Sequence, residues 1–291
     1  MIKIQFKEIN KGLRLLHIGE YSRIYQLPNG NFFKAFNITY LNMFKQSGFD
    51  MERKILETPD LITNSSIIKP ISAVYNGGLF VGFIMPRALG INYNEWVQNL
   101  TLAQRSNLLM YANQHKRLEE IIKSTPDIVY PDICTCDNIY VNGSSIQLID
   151  YDGLQINNHP SVSFSTTLGD YGVYLPISKY CDNIEGGFPL FTKELDKKSL
   201  ILLYFLTTFN VDLNKVGTRV PRSNRVLTLD DLFKILNLND YDMMHKVWKL
   251  FNDKEQNDWL GEDVFRIADN YKMVVDPRPI DGKYLKKLVR R

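Results

Sequence analysis

The chain has 291 residues, of which 44% are hydrophobic and 23% are charged, which is the balance of a globular protein with a sizeable core. Its formal charge of +3 is small for this length, so we expect no bulk electrostatic affinity for nucleic acid. The most apolar run, residues 200–206, is far shorter than the roughly 18 residues that a membrane-spanning helix needs. Composition therefore disfavours both a nucleic-acid partner and a transmembrane segment.

Cysteine content and the two ends of the chain bear on its location. Three cysteines, an odd number in a chain of this length, favour a reducing compartment over a disulfide framework. Residues 1–6 alternate like a strand and lack the apolar core of a signal peptide. Five cations lie in residues 283–291, which we interpret as a solvated basic tail, with a weak contact to a membrane surface or a partner as the alternative. We expect a cytoplasmic protein.

The first ninety residues are patterned mainly as strands. Short apolar stretches are separated by turn signals such as Gly19–Ser22, residues 28–31 and Asn76-Gly77-Gly78, which predicts a small antiparallel sheet. A helix is predicted at residues 50–56, inside this region. The predicted strands are residues 15–18, 23–27, 32–36, 67–74 and 79–85.

Beyond a break at residues 86–90 the periodicity becomes helical. Residues 101–104 have the form of a capping box, and the helix that they open ends before Pro126. A strand-rich first third followed by a helical remainder predicts an α+β protein of two lobes with a hinge at the break. The further predicted helices are residues 193–209, 228–236, 242–251 and 261–271.

Three polar residues between positions 130 and 153 carry the chemistry. Asp132 lies on a loop, Asn138 precedes a short predicted hairpin, and Asp150 follows that hairpin. Phosphotransferases use such an arrangement to bring a base and metal ligands to one point. Two hard oxygen ligands from separate loops suit Mg²⁺, which keeps waters and phosphate oxygens at its other positions.

With its segments in this order, the chain resembles the protein-kinase-like superfamily over roughly residues 15–271, as a divergent, bacterial-type serine/threonine kinase or pseudokinase. The resemblance implies a bilobal fold. Residues 1–88 would form a small antiparallel-sheet N-lobe, and residues 89–291 a larger, mainly helical C-lobe.

The resemblance also implies an ATP site in the first lobe. Residues 17–25 are similar to the glycine-rich hairpin that covers nucleotide phosphates, with Gly19 and Ser22 at two of its glycine positions and Ile24 next along the strand. Lys34, on the following predicted strand, would contact the phosphates and pair with Glu52 on the helix that comes after it.

In the second lobe, Asp132 would orient the proton of the attacking hydroxyl, while Asn138 and Asp150 would hold Mg²⁺. Asp196 is similar to the buried aspartate that begins the central helix of a kinase C-lobe and anchors the catalytic loop. Residues 153–190 match the position of an activation segment. The implied partner is a protein substrate or a binding partner.

Three departures from the family leave its activity open. The gap from Asp132 to Asn138 is six positions (138 − 132) where the family has five, and Tyr130-Pro131 replaces the usual histidine and arginine. Asp150-Tyr151-Asp152-Gly153 replaces the usual aspartate, phenylalanine and glycine, so that Asp152 is either a second metal ligand or a surface acid.

Three hypotheses follow: an active ATP- and Mg²⁺-dependent protein kinase, a pseudokinase that binds nucleotide or a partner without phosphoryl transfer, and a small-molecule kinase. A zinc site at Cys134 and Cys136 is disfavoured, because no second ligand pair with suitable spacing occurs in the sequence.

Overall fold

The computed structural model describes residues 1–99, 108–133, 137–162, 181–185 and 188–208. Within these ranges the protein is a mixed α and β structure. The capping box at 101–104, the two cysteines at 134 and 136, and the helices expected at 228–236, 242–251 and 261–271 lie outside the described residues, as does the basic tail.

Six strands form the largest sheet, in the order β1-β5-β6-β4-β3-β2. They are β1 (Ile2–Gln5), β2 (Arg14–Ile18), β3 (Ser22–Gln26), β4 (Phe32–Phe36), β5 (Ser72–Asn76) and β6 (Leu79–Met85). The expectation of a wholly antiparallel sheet is wrong, because β1 lies parallel to β5 while the other neighbours are antiparallel. Residue alternation predicts a strand but not its direction, and no tight turn connects β1 to its partner.

The strand predicted at 67–74 is also shorter than expected. β5 begins only at Ser72, after Pro70, whose nitrogen has no hydrogen to donate to a sheet ladder. The preceding residues instead run beside the end of the 145–148 strand, where the Ile68 amide donates to the Leu148 carbonyl at 2.9 Å. This contact joins the large sheet to the part of the chain that follows it.

The two faces of the large sheet are covered differently. A small cluster of Leu27, Phe33, Val74 and Ile84 is packed against the short helix α1 (Phe6–Ile9) and its neighbours. The opposite face belongs to the main core, which includes Phe36 and continues into the second half of the described chain. Because side chains alternate along β4, Lys34 is on the face of Phe36, above the main core.

Five further helices surround this core: α2 (Ile38–Gln46), α3 (Met51–Glu57), α4 (Tyr93–Asn99), α5 (Leu108–Lys123) and α6 (Lys193–Thr208). The Asp50 carboxylate caps α3 by accepting from the Arg53 amide at 3.0 Å. The sequence predicts α3, α5 and α6. It misses α1, α2 and α4, which have only four, nine and seven residues and therefore show weak periodicity. None of the described helices has the length and apolarity needed to cross a bilayer.

Small sheets make up the rest of the described chain. The strands are β7 (Ile91–Asn92), β8 (Ile128–Val129), β9 (Ile139–Asn142), β10 (Ser145–Leu148), β11 (Gln155–Ile156), β12 (Cys181–Glu185) and β13 (Phe188–Phe191). They pair as β10-β9-β7, β11-β8 and β12-β13. Gly90, just before β7, has φ +92°, and a Cβ there would lie 2.1 Å from the Val141 carbonyl oxygen. Only glycine allows this close approach, which holds the segment after the large sheet against β9.

Candidate active site

Asp132, Asn138 and Asp150 line one pocket, whose apolar walls include Ile133 and Leu154. The β9–β10 hairpin explains why two of the three polar residues meet. Asn138 immediately precedes β9 and Asp150 lies two residues after β10, so the antiparallel pairing brings them side by side. The Ile149 amide donates to the Asn138 carbonyl at 3.0 Å and extends this pairing to the edge of the pocket.

The loop that carries Asp132 is tied to helix α6 through Asp196. The Asp196 side chain is fully buried, and its Oδ1 accepts from the Tyr130 amide at 2.7 Å. Its other oxygen lies 2.7 Å from the Lys193 ammonium. Burial raises the pKa of Asp196, while Lys193 and the Tyr130 amide oppose that rise. A buried carboxylate with two such partners fixes the backbone two residues before Asp132.

Lys34 meets two carboxylates of the segment after β10. Its ammonium lies 2.5 Å from Asp150 Oδ1 and 2.6 Å from Asp152 Oδ1. Burial alone would lower the pKa of Lys34, but the charges of the two carboxylates outweigh burial and raise it. Lys34 therefore stays protonated and holds both acids within one hydrogen-bonded group.

Asp152 is a member of this group, so the surface-acid alternative from the sequence is wrong. It is only 4% exposed, and burial raises the pKa of its carboxyl, with Asp150 adding to the rise and Lys34 opposing it. The sequence held one signal for this placement: Asp152 is only two residues from Asp150 and lies between Tyr151 and the pair Gly153-Leu154, so a loop that buries its apolar neighbours also buries this carboxylate.

The backbone at Asp150 has the left-handed conformation, with φ 65° and ψ 52°. This conformation is uncommon for residues other than glycine, and strained backbones of this kind concentrate at functional sites. A 3-10 turn at Tyr151–Gly153 follows directly. The buried Tyr151 hydroxyl shares a 2.6 Å hydrogen bond with Thr58 Oγ1, at the end of helix α3. The strained backbone of Asp150 is therefore held on one side by the contact of its carboxylate with Lys34 and on the other by the buried side chain of Tyr151.

Glu52 does not pair with Lys34, and the expectation that it would do so is corrected by the structure. Its carboxylate accepts instead from the Tyr75 hydroxyl on β5 at 2.9 Å. Met51 and Ile55 face the core, and their spacing also turns Lys54 inward, whereas Glu52 lies about 100° around the helix from Met51. The anionic partners of Lys34 therefore come from the segment after β10.

The hairpin between β2 and β3 contains the other three residues expected at an ATP site. The Gly19 amide donates to the Ser22 carbonyl at 2.8 Å and closes the turn. Ile24 lies opposite Lys34 in the β3–β4 register. A Cβ at Gly19 would meet no atom closer than 3.5 Å, so the fold itself does not require glycine there.

Tyr21, in the same turn, links this hairpin to the pocket. Its ring packs edge-on against Tyr40, with centroids 4.7 Å apart. The pKa of its hydroxyl is raised by burial, then by the charge of Glu20, with a smaller contribution from Asp132. The turn therefore lies within electrostatic reach of the loop that carries Asp132.

The side-chain oxygens at the pocket are the kind of ligand that a hard divalent cation prefers. The carboxylate of Asp150 and the amide of Asn138 line the pocket, and the Asp152 carboxylate is joined to Asp150 through Lys34. The described residues hold no group of three or more histidine, cysteine, aspartate or glutamate side chains that would form a metal site by themselves. Two or three protein oxygens are the number that Mg²⁺ takes when phosphate oxygens and waters complete its shell, so these residues fit that ion.

Comparison with protein-family models and with curated proteins finds no match for this chain. The assignment of roles must therefore come from the pocket itself. Sequence reasoning missed one buried charged residue beside it, Lys54, although the spacing of Met51, Lys54 and Ile55 places all three on one face of a helix.

Proposed function

We propose that the protein is an ATP- and Mg²⁺-dependent phosphotransferase resembling a serine/threonine protein kinase, which transfers the γ-phosphoryl group to a hydroxyl of a protein substrate. The observation that carries this proposal is the convergence of Asp132, Asn138 and Asp150 on one pocket, with Lys34 bonded to Asp150 from the sheet above. Phosphoryl transfer depends mainly on positioning and charge neutralisation, which such a group of side chains supplies.

A bilobal arrangement belongs to the same proposal, with residues 1–88 as the N-lobe and 89–291 as the C-lobe. It is supported by the position of the six-stranded sheet, which lies wholly within the first range. The pocket-lining residues come from the second range, and Lys34 reaches them from the first. The three cysteines support a cytoplasmic location for this activity.

Each residue near the pocket has a role in the proposed reaction. Asp132 accepts the proton of the attacking hydroxyl as the hydroxyl oxygen bonds to the γ-phosphorus and the bond from that phosphorus to the β-phosphate oxygen breaks, which releases ADP. Lys34 donates to phosphate oxygens while it keeps its contact with Asp150, because an ammonium has three hydrogens. Asn138 and Asp150 supply oxygen ligands for the cation. Mg²⁺, when bound, neutralises the charge that develops on the phosphate oxygens.

The hairpin residues would act through the backbone. Gly19 lies in the turn between β2 and β3, and Ser22 begins β3. Because the Gly19 amide already donates to Ser22, Gly19 would contribute the space that its missing side chain leaves for phosphate oxygens beside the turn. Ile24, opposite Lys34, would pack against the base or sugar of the nucleotide. Glu52 acts indirectly here, since its bond to Tyr75 joins helix α3 to strand β5.

A second candidate is a pseudokinase that binds nucleotide without transferring phosphate. One observation favours it. Lys34 is hydrogen-bonded to both Asp150 and Asp152, so its ammonium already neutralises part of their negative charge and the two acids have less need of a metal ion. The six-position gap from Asp132 to Asn138 points the same way. In this alternative, ATP binds through the hairpin and Lys34, but no hydroxyl is activated.

Phosphoryl transfer and nucleotide binding distinguish the two candidates when they are measured on the same preparation. The full-length protein is incubated with ATP labelled at the γ-phosphate and Mg²⁺, with generic protein substrates and separately with small hydroxylated acceptors. We expect transfer to protein that is lost in Asp132→Ala and retained in Asp137→Ala. Loss only in Asp137→Ala would move the base role to that residue.

Calorimetric titration with ATP and Mg²⁺ gives the second measurement. Binding without transfer to any acceptor would support the pseudokinase. Absence of binding by the wild type, with or without Mg²⁺, would refute both candidates. The matched control is Lys45→Met, which removes an exposed cation from helix α2 and should leave transfer and binding unchanged.

A further inference from the structure

The two acids bonded to Lys34 have different surroundings. Asp150 lines the pocket, and its side chain is 24% accessible. The Asp152 side chain is only 5% accessible, and Asp152 is not among the described residues that line the pocket. A carboxylate kept from water depends on a cationic partner, whereas an accessible one can exchange its partner for water or an ion. Of the two acids, Asp152 is therefore the one that depends on Lys34.

Helix α3 does not offer its own carboxylates to Lys34. Glu52 accepts from the Tyr75 hydroxyl at 2.9 Å, and Glu57 accepts from the Arg53 side chain at 3.0 Å. These are the two acids of the helix. Any contribution of α3 to the placement of Lys34 must therefore pass through the segment that bears its partners.

Lys54 joins α3 to that segment through the backbone. The Lys54 side chain is fully buried, and its nitrogen donates to the carbonyl of Asp152 at 2.8 Å, to that of Pro160 at 2.9 Å, and to that of Leu154. The three hydrogens of the ammonium thus have three acceptors in one short stretch of chain. The backbone that carries Asp152 cannot shift without breaking buried, charge-assisted hydrogen bonds.

The same residue faces both lysines. The backbone carbonyl of Asp152 accepts from Lys54, and its carboxylate accepts from Lys34 at 2.6 Å. A continuous series of contacts therefore runs from helix α3 through Asp152 to strand β4. Asp150 lies outside this series, since it contacts Lys34 but accepts nothing from Lys54 in the described structure.

We propose that Asp152 is a positioning residue, the fixed counter-ion of Lys34, on a backbone that Lys54 ties to helix α3. Asp152 takes one of the three ammonium hydrogens of Lys34, so a phosphate oxygen can take another. Asp150 can then contact a cation without leaving Lys34 unpaired. This division of labour between the two acids rests on the proposed function, whereas the pairing of Asp152 with Lys34 does not.

Nuclear magnetic resonance of the Lys34 ammonium tests the pairing without any ligand. The full-length protein is labelled with ¹⁵N at lysine Nζ, and Lys34→Met assigns the signal. A buried, ion-paired ammonium exchanges its hydrogens slowly with water and so remains observable. Asp150→Asn and Asp152→Asn form a matched pair, because each removes one charge and keeps the shape of the side chain.

We expect Asp150→Asn to retain the Lys34 signal and Asp152→Asn to raise its exchange rate at least about tenfold, as the loss of one charge-assisted hydrogen bond implies. Equal effects of the two variants would overturn the proposal. So would a larger effect of Asp150→Asn, or a wild-type ammonium that exchanges too fast to be observed.

Calorimetric titration with ATP and with adenosine, which lacks phosphates, tests the consequence for binding. Lys34 acts on phosphate oxygens, so Asp152→Asn should weaken ATP about tenfold and leave the affinity for adenosine unchanged. Lys54→Met should produce the same selective loss, because it frees the backbone of Asp152. A general disturbance of the fold would weaken both ligands, and that result would overturn the positioning role.

The matched control on the same helix is Arg53→Met. It breaks an exposed pair with Glu57 and should bind both ligands like the wild type. If Lys54→Met does not fold, Asp152→Asn decides the positioning role.

If Asp152→Asn does not fold either, urea unfolding of Lys34→Met near neutral pH takes its place. Adding Asp152→Asn should lower the unfolding constant of Lys34→Met at least about tenfold, while adding Asp150→Asn should change it little. Equal recovery from both additions would overturn the proposal. If the wild type binds neither ATP nor adenosine, the proposed function fails, while the comparison of the two asparagine variants still decides which acid is paired with Lys34.

Discussion

Replacing Lys34 with methionine would leave two carboxylates close together in the protein interior with no cation between them. Methionine keeps the unbranched shape of the side chain, so that the loss of the ammonium is the main change. Asp152 then loses its close cationic partner, and Asp150 loses a partner only 2.5 Å away. The variant isolates the contribution of this charged group to the stability of the fold.

The expected loss in the free energy of unfolding follows from the burial of Asp152 and from its ability to take up a proton. Removing one partner of a buried ion pair costs about 3–5 kcal/mol. Asp152 has an alternative to staying charged, because it can take up a proton; for an aspartate with an ordinary pKa, that costs about 4 kcal/mol at pH 7 and about 1.5 kcal/mol at pH 5. Asp150 is more exposed, with a side chain that is 24% accessible, so water can replace part of the contact that it loses. We expect a loss of about 3–4 kcal/mol at pH 7.

The sign of the pH dependence is fixed by Asp152. Burial already raises its pKa in the folded state, and removal of Lys34 raises it further. The folded variant therefore binds a proton that the unfolded chain releases as the pH rises above about 4. The stability deficit of the variant should be small near pH 5 and should grow as the pH approaches 7.

Urea unfolding followed by circular dichroism, at pH 5 and pH 7, measures both quantities. Lys45→Met serves as the control for loss of an exposed lysine and should change the free energy of unfolding by less than about 0.5 kcal/mol. Adding Asp152→Asn to Lys34→Met should restore most of the lost stability at pH 7. A deficit below about 1 kcal/mol, or one equal at both pH values, would refute the reasoning.

Three further outcomes are expected. A Cβ at Gly82 would lie 2.0 Å from the Lys34 carbonyl oxygen, so Gly82→Ala should lower the free energy of unfolding by about 1–3 kcal/mol in urea titrations. Gly19→Ala meets nothing closer than 3.5 Å and should unfold like the wild type, yet it should bind ATP more weakly in calorimetry if the hairpin covers phosphates. Asp196→Ala leaves the Tyr130 amide without its buried acceptor, and we expect a loss of about 3–5 kcal/mol together with loss of phosphoryl transfer; unchanged stability would contradict the anchoring role.

Several elements follow from local patterns that the sequence displays directly. Alternation and turn residues identify the β2–β3–β4 region, and the order asparagine, strand, turn, strand, aspartate identifies the β9–β10 hairpin. Because an antiparallel hairpin returns its chain to the starting point, that order also predicts that Asn138 and Asp150 meet. The capped helix α3 and the helix ending before Pro126 are likewise local features.

The partners of the charged side chains were decided by contacts distant in sequence. Lys34 was expected to pair with Glu52, a residue 18 positions away (52 − 34), but its carboxylates lie 116 and 118 positions away. The same holds for the parallel pairing of β1 with β5, which depends on residues about 70 positions apart. Periodicity assigns a residue to a face of its own element, and it cannot say which other element will cover that face.

The sequence by itself determined the hairpin β9–β10 and helix α3 beside the site, and it placed Asn138 and Asp150 at one end of that hairpin, with Asp132 on the loop before it. Only the tertiary structure decided that Asp152 and Lys54 are buried, because burial depends on how α3 packs against residues 150–160. A buried charge must find a partner or lose its proton, so this packing also set the charge balance around the pocket.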